Sequence, residues 1–165
     1  MIFSKKKTLA ILTFASALGF GALVALSEIY LSAGDGLLDG RLIGYDAWAV
    51  TNYLKLLSNE ARAFYLGPFR TLDTIVPPLL ALTFIALVWS LGRKFWRVTV
   101  IFPLIYVFAD LRENVLVGQI LQAGPENLDG DMISSASDMA QLKWLFTVLS
   151  LAVVLWLWRK GRTQL

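Results

Sequence analysis

Four stretches of this chain, residues 8–27, 73–92, 98–121 and 140–158, are each about twenty residues of mostly apolar sequence. About twenty residues of α-helix cross a hydrocarbon core some 30 Å thick. Four such stretches in 165 residues leave little room for any other plan. The hydrophobic share is 57%, against roughly 45–50% in soluble domains, so much of the surface needs a solvent other than water. The expected fold is all-α: one polytopic membrane domain over residues 1–165. It is a bundle of four transmembrane helices at the stretches named, with a helical extracytoplasmic loop, residues 28–72, between helices 1 and 2.

The first stretch follows Lys5-Lys6-Lys7 and contains "ASA", which gives it a rival reading as a secretory signal. Its apolar run is long for that role and continues past "ASA", so a retained helix is expected. Orientation follows from the basic residues. Lys5, Lys6, Lys7, Arg93, Lys94, Arg97, Arg159, Lys160 and Arg162 all fall on one side if the helices alternate, and no Asp or Glu joins them. Short cytoplasmic loops carry the excess of Lys and Arg, so both termini and the 93–97 loop are expected in the cytoplasm. Trp89, Trp96, Trp156 and Trp158 fall at the same interface, and Trp144 at the opposite one.

In the outer loop, "SAGDGLLDGRLIGYD" is rich in turn residues. The following "DAWAVTNYLKLLSNEARAFYL" has helical spacing of Trp48, Tyr53, Leu56 and Leu57, then Ala61, Phe64 and Tyr65. Two short helices lying on the membrane surface and ended by Gly67-Pro68 are expected. The stretch "AGPENLDGDMISSASDM" is read as an acidic connector.

The chain has no cysteine and no histidine. Disulfides, thiolate nucleophiles, the usual zinc sites and histidine-based triads are thereby excluded. No metal and no cofactor are expected. A net charge of +3 is too small to suggest nucleic acid, and the expected partners are membrane lipids.

The third stretch carries Asp110, Arg112, Glu113 and Asn114 inside "IFPLIYVFADLRENVLVGQIL". At 100° per residue, Pro103, Tyr106, Asp110, Glu113, Asn114 and Val117 share one helix face. Ile101, Leu104, Ile105, Phe108, Val115 and Leu116 share the other, with Arg112 among them. With residue 98 at the inner boundary, Asp110 is about 18 Å deep and Glu113 about 22 Å. Asp73, Lys143 and Thr147 fall at similar depth on other helices, and Arg62, Tyr65 and Arg70 just above. A charge at the bilayer centre costs at least about 2.5–3.5 kcal/mol and generally faces the bundle interior. The candidate polar site is therefore Asp110, Glu113, Asn114, Lys143, Asp73 and Tyr106, capped by Arg62 and Tyr65. A set of hydrogen bonds that only fastens helices together is the competing reading.

"ARAFYL", "LDTIVPPLLALTF", "FPLIYVFADLREN" and "LKW" together resemble a widespread group of uncharacterised bacterial four-helix integral membrane proteins. That group has Arg-x-x-Tyr, Asp-x-x-Glu-Asn and Lys-Trp motifs, matched here at Arg62, Tyr65, Asp110, Glu113, Asn114, Lys143 and Trp144, and an Asp at the position of Asp73. Val76-Pro77-Pro78 stands where the group has Phe-Pro. The resemblance covers about residues 45–145. It implies a multi-pass protein of the bacterial inner membrane and supplies no activity.

Four functions fit these residues. The first is a protein with an outward-opening polar pocket that binds a lipid or amphipathic small molecule. The second is a small membrane enzyme acting on a lipid through Asp/Glu chemistry. The others are a proton-coupled transporter, which with four helices would need a homo-oligomer, and a structural assembly partner.

Overall fold

The computed structural model describes residues 5–33, 36–92 and 94–162. The described residues are helical and contain no strand. Helix α1, Lys5–Leu26, runs on through a π turn, Ser27–Leu31. A 3-10 turn, Leu38–Gly40, leads to α2, Ala47–Leu56, and α3, Asn59–Phe64. A second π turn, Tyr65–Phe69, joins α3 to α4, Arg70–Leu91. A 3-10 stretch, Lys94–Val100, precedes α5, Ile101–Ala123, and α6, Gly130–Arg162, closes the chain.

Among the described residues, three helices are long and apolar enough to cross a membrane: Lys5–Leu31, Asn59–Leu91 and Gly130–Lys160. The expected third span, 98–121, is not among them. Asp110, Arg112 and Glu113 break its apolar run, and residues 94–100 are wound as a 3-10 helix that precedes α5. Two other boundaries move. Gly67-Pro68 does not end a helix, because the wide π turn takes in a residue that has no N–H to give. The expected connector after Ala123 is short, and α6 already begins at Gly130. Gly124, at φ +74, stops α5 in the backbone region open to glycine.

α1 and α4 run antiparallel. Gly19 lies against Val76, and Ser16 Oγ and Thr83 Oγ1 share a hydrogen bond of 2.7 Å. α5 packs chiefly on α6, and α4 touches both. Helices α2 and α3 do not float. Asp46 and Ser58 cap α2 and α3, accepting the N–H groups of Ala49 and Ala61 at 2.8 and 3.1 Å. α2 turns Val50, Tyr53 and Leu54 inward, leaving Trp48 and Leu56 exposed. Tyr53 donates to the Leu31 carbonyl, and the Tyr45 N–H donates to Ser137 Oγ of α6.

These contacts build an apolar core at the loop end from Leu31, Val50, Tyr53, Ile120, Leu121 and Ala140. A smaller core at the other end joins Phe84, Val88, Val154 and Leu157. There Trp96 meets Trp156 at 4.3 Å, Arg97 covers Trp89 and Lys160 covers Trp156. Between the two cores lies a polar layer.

Candidate functional site

The face of α5 drawn from helical spacing is the face the fold buries. Pro103, Tyr106, Asp110, Glu113, Asn114 and Val117 are all buried. Ile101, Leu104, Phe108 and Val115 of the opposite face are exposed, as is Arg112. Leu116 departs from this pattern, being buried within the loop-end core.

α6 places Lys143 opposite that face. Its Nζ lies 2.6 Å from Glu113 Oε2 and 3.6 Å from Asp110 Oδ1. Glu113 is wholly buried, and Asp110 and Lys143 are nearly so. Charges this far from water persist only when paired, and here the pair crosses from α5 to α6. Lys143 also stands over the Trp144 ring at 5.7 Å.

α4 contributes Asp73 and two prolines. Pro77 stands four residues after Asp73 and has no N–H, so the helical donor to the Asp73 carbonyl is missing. Asn114 replaces it: its Nδ2 donates to Asp73 O at 3.2 Å and to Asp110 Oδ2 at 3.4 Å. Within an apolar solvent a proline in a helix is tolerated when a neighbour satisfies the freed carbonyl. The asparagine and the proline are thus one joint between α4 and α5.

Above the ion pair a cavity of about 100 Å³ opens between the helices. Its polar floor is Asp73, Tyr106, Asp110 and Lys143. Its walls are Phe20, Leu23 and Val24 of α1, Val76 and Leu80 of α4, and Trp144 of α6. Gly40 and Ser27 reach it from the loop end. Because α1 leans chiefly on α4, the cavity occupies the gap between α1 and α6.

Of the residues expected in the site, Asp73, Tyr106, Asp110 and Lys143 line the cavity, with Glu113 and Asn114 behind the floor. Arg62 and Tyr65 do not cap it. The Arg62 guanidinium lies beside Gly124 at the end of α5 and donates to the Leu54 carbonyl at 3.5 Å. That is ten residues beyond Asn114, or about 15 Å along the helix. The negative end of α5 is the natural seat for this cation. Tyr65 is buried against Phe69 with ring centroids 5.3 Å apart. Sequence spacing missed the α1 wall, because Phe20, Leu23 and Val24 look like any apolar helix positions until their neighbour is known. Among the described residues, no three Asp or Glu side chains converge as a metal site. Compared with known proteins, the chain matches no family model, no curated protein and no solved structure.

Proposed function

We propose that this protein is a four-helix protein of the bacterial inner membrane whose cleft binds a lipid or another amphipathic small molecule. The observation that carries this reading is the cleft itself, which lies between helices with charged groups at its floor and apolar side chains along its walls. A ligand with a polar head and an apolar tail is the chemistry such a cavity complements. The tail would lie between α1 and α6, in contact with the hydrocarbon.

In this reading α5 is the fourth span. Its 23 residues extend about 34 Å, and its charges face inward onto Lys143. Lys5–Lys7, Lys94, Arg97, Arg159 and Lys160 gather at one end of the bundle, which supports a cytoplasmic location for that end. Wall residues on α1 support its retention in the working protein.

Native mass spectrometry of detergent-purified protein tests the reading. A co-purifying lipid-sized mass is expected. Val24→Trp, which fills the cleft wall at a half-exposed position, should abolish that mass while leaving helix content by circular dichroism unchanged. A wild-type protein with no bound amphiphile, in detergent and in lipid nanodiscs alike, overturns the proposal.

A further inference from the structure

Between Gly40 and α2 the chain makes a tight turn, closed where the Gly44 N–H donates to the Arg41 carbonyl at 3.3 Å. Corners of such turns usually carry glycine, proline, asparagine, aspartate or serine. Here they are Leu42 and Ile43, and they are 61% and 91% exposed. Five residues past Ile43, Trp48 stands 70% exposed in the first turn of α2. A single exposed apolar residue is ordinary at a protein surface. Two aliphatic corners close in sequence to an exposed tryptophan call for an apolar neighbour.

The turn does not hang free. The Tyr45 N–H donates to Ser137 Oγ at 2.9 Å, and Gly44 lies directly on Ser137 and Gln141 of α6. Gly44 has φ +80, and a Cβ there would collide with Ser137 Oγ, so glycine alone allows this approach. The same contact fixes a depth. From Arg159, at the tryptophan-rich end, to Ser137 is about 33 Å along α6. A hydrocarbon core is some 30 Å thick, so a helix that enters it near Arg159 leaves it near Ser137. In the membrane-spanning reading above, the turn is therefore clamped at the loop-side boundary of the bilayer. Tryptophan is enriched at that depth. The base of the turn also meets the cleft, since Gly40 is among the lining residues.

Resting on that reading, we propose that the turn is a membrane wedge. Leu42, Ile43 and Trp48 insert among the lipids of the loop-side leaflet. They hold the loop end of the cleft, where Gly40 stands, level with the head groups. The partner of this surface is the bilayer itself, and the amphiphile then reaches the cleft from that leaflet.

Nitroxide labels test the wedge in the full chain, in nanodiscs of palmitoyl-oleoyl phosphatidylcholine. The chain has no cysteine, so Ile43→Cys, Val148→Cys and Glu126→Cys each carry one label. Val148 is 60% exposed midway between Ser137 and Arg159, and Glu126 is exposed in the connector after α5. Oxygen concentrates in hydrocarbon and a nickel chelate in water. The label at 43 should collide with oxygen several-fold more, and with nickel several-fold less, than the label at 126. Adding Leu42→Glu and Trp48→Glu should raise its nickel collisions several-fold and leave the label at 148 unchanged.

A label at 43 that behaves like the one at 126, with 148 still in hydrocarbon, overturns the wedge while the membrane bundle stands. Shielding of 43 from both reagents means that a second copy of the chain covers the turn, and it also overturns the wedge. So does indifference of the label at 43 to the two glutamates, because packing on α6 alone would then set its depth. If the label at 148 is itself in water, the wedge and the membrane reading fall together.

Discussion

At the scale of single residues, Lys143 has two carboxylates within reach and they are not equivalent. Glu113 lies 2.6 Å away and Asp110 3.6 Å, and Asp110 additionally accepts from Asn114. Breaking a buried pair by removing one partner typically costs about 3–5 kcal/mol. Lys143→Met should therefore destabilise the protein by that order in denaturant unfolding. Adding Glu113→Leu should recover more of the loss than adding Asp110→Leu, and equal recovery would contradict the geometry. Asn114→Ala removes the side-chain donor to the Asp73 carbonyl, a loss of about 0.5–1.5 kcal/mol for one hydrogen bond. Pro77→Ala returns an N–H to that carbonyl, so the double variant should lose less than Asn114→Ala alone. This cluster was largely legible in the sequence because helical spacing puts Asp110, Glu113 and Asn114 on one face of α5 and Arg112, which is exposed, on the other. The Arg62 cap was not legible. A long side chain just before a π turn can reach in several directions, and the one it takes is fixed by where α5 ends.

At the scale of elements, α1 is attached by a narrow seam. Only 6% of its most apolar stretch is buried, and the seam is Ser16 with Thr83 and Gly19 with Val76. A Cβ on Gly19 would stand 2.9 Å from Val76 Cγ2, so Gly19→Leu should push α1 away from α4. The chain has no cysteine, so Ser16→Cys with Thr83→Cys gives a clean reporter. Its oxidative cross-linking should proceed readily and fall several-fold when Gly19→Leu is added; unchanged yield would mean the seam lies elsewhere. Helix existence was readable from apolar length, and inner from outer faces from spacing. Helix ends were read less well. Gly67-Pro68 looked like a stop, yet the π turn carries Asn59–Leu91 as one helix. The polar sequence before residue 140 looked like loop, yet Ile133, Ala136 and Ala140 recur at helical spacing and pack into the loop-end core.

At the scale of the molecule, two apolar cores are separated by a layer of charge, with basic and tryptophan-rich groups gathered at one end. If that end is cytoplasmic, a phosphatase reporter fused after Leu165 should be inactive and a fluorescent protein fused there should glow. The reverse pattern would invert the bundle. The polar layer has a further consequence for the order of synthesis. Asp110, Glu113 and Asn114 leave the ribosome before Lys143 exists. If α5 is the proposed fourth span, it carries two carboxylates without their lysine until α6 follows, and a lone helix of that kind enters lipid poorly. α5 and α6 should therefore insert as a hairpin rather than in turn. In glycosylation mapping, chains truncated before residue 130 should leave α5 uninserted, full-length chains should insert it, and Lys143→Met should return part of the population to the uninserted form.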